Sequence, residues 1–297
     1  MYRPEIDLAA LVALDMHVHV EVGPDGHPSL PSALAEQAAR YFKTDGVVPD
    51  LDGIAAYYRE RSMAAVVFTV DARTQLGHDP IPSAGIAERA ADHADVLVPF
   101  GSVDPRTGEA AIDLARSLAA ESGVRGFKLH PTVQGFDPSD PQYESFWAGL
   151  AELGLPVVVH TGQTGIGAGL PGGSGFQLRY SDPMLLDSVL ADHPALRIVM
   201  AHPAVPWADA QLSVATHKPG AWIDLSGWSP TYFPPQLVRA LNSYLQDKVL
   251  FGSDFPLLTP DRWLGDFDGL GVKDAVRPKI LKDNAIGLLG LEKGNPS

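Results

Sequence analysis

The sequence predicts an α/β fold, a (β/α)8 TIM barrel with a helical cap inserted after the first strand. Short apolar runs alternate with stretches of helical period along the chain, and eight such runs can be counted. This alternation is typical of βαβ units and a parallel sheet. Polar side chains follow several runs at their carboxyl ends, where barrels of this class carry their active sites. We therefore expect residues 1–297 to form one domain.

The predicted elements follow one another in a regular order. The strands are expected at residues 12–19, 65–70, 97–103, 124–130, 157–161, 197–202, 222–226 and 249–254. Stretches of helical period lie between them and after the last one, at residues 82–93, 107–120, 142–153, 182–191, 207–216, 235–246, 259–268 and 276–289. A chain of 297 residues suits one barrel of this kind.

The exception to the alternation is the segment between the first two strands. Residues 21–61 are far more than a βα loop needs. They contain two stretches of helical period, residues 31–41 and 51–61. We expect this insertion to form a cap over the carboxyl end of the first strand.

A glycine-rich segment, GQTGIGAGLPGGSG, occupies residues 162–175 and contains seven glycines in fourteen residues. Glycine permits positive φ and close approach of the backbone to a ligand. The segment matches neither the phosphate-binding nor the dinucleotide-binding glycine pattern. Three interpretations stay open: a substrate loop whose N–H groups face an anion, a mobile lid, or a simple turn.

The composition excludes several classes of chemistry. The chain has no cysteine, which excludes disulfides, thiolate nucleophiles and cysteine-ligated metals. Its formal net charge of −14 repels nucleic acid and anionic membranes. The start shows no secretory pattern, and no window reaches the length of an apolar membrane span. We expect a cytoplasmic protein without nucleic-acid or membrane partners.

Five polar residues each stand at the carboxyl end of an apolar run: His17, His19, His160, His202 and Asp254. The runs are LVALDMHVH, PVVVHTG, RIVMAHPA and VLFGSDFP. Residues two apart on a strand share a face, so the first two histidines can offer two imidazoles to one point. Imidazole and carboxylate are ligands of zinc and related divalent metals. The repeated placement predicts one metal site.

The motifs DMHVH, VVVHTG, MAHPA and FGSDFP resemble the amidohydrolase superfamily, in particular the branch that contains aminocarboxymuconate semialdehyde decarboxylase and γ-resorcylate decarboxylase. The resemblance implies that His17, His19, His160 and Asp254 hold one divalent ion, zinc first, with manganese, iron or cobalt as alternatives. It also implies that His202 acts as acid or base, that Asp254 shares in proton transfer, and that the protein is a homodimer.

Longer stretches, among them VRGFKLHP and THKPGAWIDLSGWSPTYFPPQLV, are similar to bacterial 4-hydroxyphenyl-β-ketoacyl-CoA hydrolases. This resemblance implies a metal-dependent hydrolase that cleaves a carbon–carbon bond of an aromatic β-ketoacyl-CoA thioester in hydroxycinnamate breakdown. Two alternatives stay open. The first is a metal-dependent, non-oxidative decarboxylase of an aromatic or unsaturated carboxylic acid. The second is a barrel without catalysis that acts as a binding protein.

Lys128 and His130 lie two apart on the fourth predicted strand and therefore share a face. We expect both to face the mouth of the barrel and to contact substrate. In binuclear relatives a carboxylated lysine on this strand bridges two metals, and Lys128 has that option. The alternatives are a buried or ion-paired lysine, and a His130 that orients Asp254 or has only a structural role.

Further candidates for substrate binding lie on the loops after strands two and five, where they have the chemistry to hold anionic or phenolic groups. They are Arg73, His78, Arg179 and Tyr180. After strand seven, Trp228 and Tyr232 have rings that stack on an aromatic substrate. The alternatives are surface salt bridges for the arginines, and packing under the cap or at a subunit contact for Trp228 and Tyr232.

Overall fold

Eight parallel strands form the centre of the computed structural model, which describes residues 1–43 and 48–291. The strands are β1 (Ala13–His19), β2 (Met63–Phe68), β3 (Leu97–Pro99), β4 (Phe127–Leu129), β5 (Val157–His160), β6 (Ile198–Ala201), β7 (Ala221–Asp224) and β8 (Val249–Leu250). They pair in the order β1-β2-β3 and β4-β5-β6-β7-β8. Parallel bridges between Gly101 and Phe127 and between Val18 and Phe255 join these two sheets. The predicted TIM barrel is confirmed.

Helices surround the strands. Their bounds are α1 (Ser32–Phe42), α2 (Leu51–Glu60), α3 (Arg73–Leu76), α4 (Ser83–Ala91), α5 (Glu109–Ser117), α6 (Pro131–Gln134), α7 (Glu144–Leu153), α8 (Leu185–Asp192), α9 (Ala208–His217), α10 (Pro235–Leu241), α11 (Pro260–Asp268) and α12 (Asn284–Leu289). Within residues 1–43 and 48–291, no helix has both the length and the apolar character needed to cross a bilayer.

The apolar strand sequences are explained by burial on both faces. One core cluster includes Val66, Val158 and Val199, which fill the interior of the barrel. A larger cluster joins the outer faces of the strands to the helices. Because neither face meets water, these strands contain nearly continuous apolar runs rather than an alternating pattern. Helix α12 contributes Ile286 and Leu289 to the interior cluster, so it packs against the barrel core.

A register shift in β1 orients the side chains of His17 and His19. Asp15 pairs with Ala65 but Val18 pairs with Val67, so β1 contains an extra residue between these positions. A bulge of this kind redirects the side chains that follow it. The ring of His17 then packs edge-on against Phe68, its centroid 4.9 Å away, inside the barrel.

Strands β6 and β8 end earlier than the sequence predicts, and His202 and Asp254 lie beyond them. Strand β6 ends at Ala201, before His202, and β8 ends at Leu250, well before Asp254. His202 has φ of 69° and Asp254 has φ of 76°, which are left-handed conformations outside the extended range. The chain therefore turns out of the barrel at these two residues.

The inserted segment 21–61 is divided between two layers. Helix α1 lies over a cavity at the mouth of the barrel, as expected for a cap. Helix α2 instead buries Ile54, Ala55 and Tyr58 in the main core against β2. Its apolar stripe at helical spacing fits the outer wall of the barrel, so it takes the place of the first βα helix. The cap is narrower than predicted, and residues 44–47 of the predicted range lie outside the described residues.

This division predicts different stability effects for the two helices. Ile54→Ala removes a fully buried side chain of the main core, so we expect the free energy of unfolding to fall by about 2–5 kcal/mol. Leu34→Ala on α1 removes a residue that belongs to neither cluster of the described core, and we expect a smaller loss. Urea denaturation followed by circular dichroism measures both. Equal losses would contradict the assignment of α2 to the barrel wall.

Candidate active site

A cavity of about 590 Å³ opens at the carboxyl ends of the strands. Its wall includes the polar residues His19, Lys128, His130, His160, His202 and Asp254. Aliphatic and aromatic side chains form most of the remaining wall, among them Leu30, Ala38, Ala39, Phe42, Leu76, Val133, Ile166, Trp228 and Leu257. A mostly apolar cavity with a few convergent polar groups is the usual form of a small-molecule site.

His17 is fully buried and held from behind by strand β7. Its Nδ1 lies 2.8 Å from Asp224 Oδ2 and 3.0 Å from Ser226 Oγ. A carboxylate partner favours the tautomer in which Nδ1 carries the proton, so Nε2 keeps its lone pair. That atom lies 3.3 Å from Asp254 Oδ1 and 3.0 Å from Lys128 Nζ.

The Asp254 carboxylate lies between the two histidines of β1. Its Oδ1 is 3.0 Å from His19 Nε2 and 3.3 Å from His17 Nε2. Burial acts to raise the pKa of Asp254, but the hydrogen bond from His19 and the fields of His17 and His202 outweigh it and hold this pKa below its usual value. Asp254 is therefore an ionised carboxylate at neutral pH.

His160 and His202 form a second pair beside the first. His202 Nε2 lies 3.0 Å from His160 Nδ1, and His202 Nδ1 lies 2.8 Å from Ser226 Oγ. The ring of His130 stacks on His160 with a centroid distance of 3.7 Å. Both nitrogens of His202 thus have partners, whereas the buried Nε2 of His160 has none among the described residues.

Four of these imidazoles have a pKa below the usual value for histidine, and burial is the largest cause of each shift. They are His17, His130, His160 and His202. The carboxylates of Asp254 and Asp224 oppose this shift at His202. Neutral imidazole is the form that ligates metal ions. The site therefore presents lone pairs rather than a cluster of positive charges.

These residues fit a divalent metal ion. One donor atom from each of His17, His202 and Asp254 lies within 4.8 Å of the other two. The carboxylate oxygen is 3.0–3.3 Å from the two β1 imidazoles, and two ligands of one ion with bonds of about 2.1 Å lie about 3–3.5 Å apart. The partnerless Nε2 of His160 is a further donor. Donors of this type accept several divalent metals, so they do not identify the ion.

The structure brings the five predicted residues together but changes their grouping. The sequence predicts His17, His19, His160 and Asp254 as ligands with His202 apart from them. In the structure His202 lies in the compact donor cluster, while His19 contacts Asp254 and His160 contacts His202. Which of these residues ligate stays a prediction.

Lys128 is fully buried, and burial is the largest effect on its pKa, which falls to about 8. Its Nζ lies 4.9 Å above the ring of Phe68 and 3.0 Å from His17 Nε2. Among the described residues that line the cavity, Lys128 is the one lysine or arginine. Its contact with substrate stays a prediction. Its carboxylation and a second metal stay predictions.

The other predicted substrate residues lie in different places. Trp228 lines the cavity. The remaining five, Tyr232 among them, are not part of the described cavity wall. Arg73 pairs with Asp71, His78 contacts the Pro28 carbonyl, and Arg179 stacks over Tyr180. Tyr232 is 68% exposed. A substrate role for these residues stays a prediction.

The sequence analysis missed Asp224 and Ser226, which orient the histidines. They stand two apart at the end of β7 and so share a face, a signal that was present in the run AWIDLSG. Gly252 leaves room for Asp224, and Gly227 leaves room for the ring of His202. A Cβ on Gly252 would lie 2.8 Å from Asp224 Oδ1, and a Cβ on Gly227 would lie 2.5 Å from His202 Nδ1.

Comparison with known proteins shows the family to which the chain belongs. The sequence model of the amidohydrolase family matches residues 14–291. The chain belongs to the amidohydrolase family of enzymes.

Particular relatives extend the comparison. A γ-resorcylate decarboxylase of Rhodococcus jostii is 24% identical over 253 residues, which cover 70% of this chain and 75% of the relative. An uncharacterized TIM-barrel protein of Bordetella bronchiseptica has a TM-score of 0.76 at 21% identity, with 94% and 98% of the two chains covered. A dihydroxybenzoic acid decarboxylase of Polaromonas, solved with manganese and 2-nitroresorcinol, has a TM-score of 0.63 at 17% identity, covering 96% and 98%.

The contact between Asp224 and His17 generates a testable prediction. Asp224→Asn removes the carboxylate that favours the Nδ1–H tautomer, so we expect metal affinity to fall by about 10- to 100-fold. Competition with a chromophoric chelator measures it. Asp247→Asn, at an exposed ion pair with Lys279, is the matched control and should leave affinity unchanged. An Asp224→Asn variant that binds metal as tightly as the native protein would show that this contact does not orient a ligand.

Proposed function

We propose that the protein is a metal-dependent, non-oxidative decarboxylase of an aromatic or unsaturated carboxylic acid. The observation that carries this proposal is the arrangement of the cavity, in which a buried cation and a donor cluster adjoin otherwise apolar walls. The decarboxylase names of relatives in the same family support it. This was the alternative in the sequence analysis, and it now replaces the hydrolase as the leading hypothesis.

The cavity suits a flat acid that enters with its carboxylate toward the donor cluster. Lys128 Nζ provides a positive charge for the carboxylate and has no acid within salt-bridge distance among the described residues. The ring then lies against apolar walls that include Val133 and Trp228. Apolar contact and one buried ion pair give the substrate a single orientation.

We assign His17, His19, His160 and Asp254 as the residues that hold the metal, and His202 to proton transfer. Because both nitrogens of His202 have hydrogen-bond partners while Nε2 of His160 has none, His160 is the better ligand. When bound, a divalent ion supplies positive charge that holds the substrate's carboxylate and stabilises negative charge on a neighbouring oxygen.

The chain's own residues then move the proton. His202 first takes up a proton from solvent, and Ser226 holds the imidazole in position through Nδ1. The protonated ring then delivers this proton to the ring carbon that bears the carboxylate and returns to its neutral form. The bond between that carbon and the carboxylate breaks, its electron pair returns to the ring, and CO₂ leaves. The proton replaces the carboxylate, so the atoms and electrons balance.

The runner-up is the hydrolase that cleaves a carbon–carbon bond of an aromatic β-ketoacyl-CoA thioester. One observation favours it: a cavity of about 590 Å³ is large enough for a drug-sized ligand and holds more than a single substituted ring. The donor cluster also suits attack of water on a ketone carbon, with His202 as the base.

Several expectations from the sequence stay predictions. They are zinc as the metal, a homodimer, a cytoplasmic location, a CoA thioester as substrate, and the absence of nucleic-acid and membrane partners. A barrel without catalysis, which acts as a binding protein, is the third hypothesis.

A product assay separates the three hypotheses. Metal-loaded protein is incubated with hydroxybenzoates and with aryl-β-ketoacyl-CoA esters, in D₂O and separately in H₂¹⁸O. We expect CO₂ and one deuterium on the ring carbon that held the carboxylate. Label from H₂¹⁸O in a new carboxylate would instead establish the hydrolase. No product from either panel would favour a binding protein.

The role of His202 is tested separately. We expect His202→Asn to lower kcat by about 10²- to 10⁴-fold, because it removes the proton donor, while metal content stays at one equivalent. His217→Asn, an exposed histidine on α9, is the control. Metal content and kcat are measured on the same preparations. Loss of the metal together with activity would make His202 a ligand and refute the assignment.

A further inference from the structure

The cavity extends well beyond the donor cluster, and helix α1 provides its roof. Four residues of α1 that line the cavity are spaced at i, i+3, i+4 and i+7, which places them on one helix face. They are Ala35, Ala38, Ala39 and Phe42. Three of the four side chains end at Cβ, so this face leaves space open below it.

A buried glutamine fixes the position of this roof. Gln37 is 4% exposed, and its Nε2 donates to the carbonyls of Gly165 and Ala168 at 3.1 and 2.7 Å. Its Oε1 accepts from the amide of Gly167 at 2.8 Å. The ring of Phe42 lies directly against Gly165, where an added Cβ would come within 2.4 Å of it. Helix α1 and the glycine-rich segment are thus joined into one surface.

The upper part of the wall is mainly apolar and, among the described residues, includes no lysine or arginine. Leu30, Val48, Ile166 and Leu257 lie there with α1, and helix α3 adds Leu76. The polar members of the cavity wall outside the donor cluster include Tyr41, Gln163 and Thr164. Its acids are Glu36 on α1 and Glu21, whose carboxylate lies 4.0 Å from His19 Nδ1. A charged, anionic group at the far end of a substrate would therefore meet apolar surface and negative charge.

We infer that the substrate's ring carries an extended, uncharged apolar substituent, alkyl or aryl, which lies beneath the alanine face of α1. This inference rests on the proposed function, because it takes the carboxylate to be held at Lys128 and the metal. The small side chains of Ala38 and Ala39 set the length of the substituent that the cavity accepts. A thioester whose far end bears phosphates is disfavoured by the same surface.

The experiment measures binding rather than turnover. Dissociation constants of 4-alkylbenzoates, from the unsubstituted acid to the heptyl homologue, are determined calorimetrically with the metal-loaded protein. We expect affinity to rise by about three- to fourfold for each added methylene until the cavity is filled, as burial of a CH₂ group predicts. A flat series, or a series that weakens with chain length, would overturn the inference.

Two variants are expected to change the longest alkyl chain that the cavity accepts, in opposite directions. Ala39→Phe fills the space below α1. We therefore expect the higher affinity of the long homologues to disappear, while benzoate binds as tightly as it does to the native protein. Phe42→Ala removes a ring from the roof and should extend the series to longer chains. Ala33→Phe, at an exposed position of α1 outside the described wall, is the matched control. Circular dichroism verifies that each variant is folded.

The outcomes distinguish this inference from the proposed function. Chain-length dependence in the alkylbenzoates, together with no CO₂ release from the hydroxybenzoates of the product assay, supports the apolar subsite and contradicts decarboxylation. CO₂ release from a hydroxybenzoate with no chain-length dependence in the alkylbenzoates supports decarboxylation and contradicts the subsite. Equal weakening of every homologue by Ala39→Phe would mean that α1 does not set the length, and would overturn its assigned role.

Discussion

The amide of Asp254 donates a 3.0 Å hydrogen bond to the carbonyl of His17, and the site depends on this contact between the last and first strands. It holds β8 against β1 next to the bridge between Val18 and Phe255. With φ of 76°, Asp254 turns its carboxylate toward the imidazoles of His17 and His19. The contacts that close the barrel therefore also position the donor cluster.

Burial and neighbouring groups together set the chemical form of these donors. Burial lowers the pKa of the imidazoles and keeps them neutral, whereas the hydrogen bond from His19 helps to keep Asp254 ionised against the effect of its own burial. Neutral imidazoles beside an ionised carboxylate suit a divalent cation. Asp224 and Ser226 on β7 orient two of the rings from the side away from the cavity. The space above is shaped by different forces, because Gln37 joins the cap helix to the glycine-rich segment through three hydrogen bonds. The polar donor cluster and the roof formed by α1 together shape the cavity.

Strand order and the meeting of His17, His160, His202 and Asp254 could be predicted from the sequence, because parallel strands bring their carboxyl ends to one edge. Three features could not. The extra residue in β1 follows from pairing with β2, which the local pattern does not contain. The apolar stripe of α2 predicts a buried helix face, but it does not indicate whether that face packs on the barrel wall or in the cap. Surface residues such as Arg73 form ion pairs with nearby residues such as Asp71. The position of a residue on a loop does not predict such a pair.

The central claim is that this cluster holds a divalent ion between the first and last strands. A crystal structure of protein loaded with Mn²⁺, with anomalous differences collected at a wavelength where manganese scatters strongly, tests it most directly. We predict one anomalous peak within bonding distance of His17 Nε2 and Asp254 Oδ1. No peak at this position in crystals that contain stoichiometric manganese, or a peak at another site, would contradict the account.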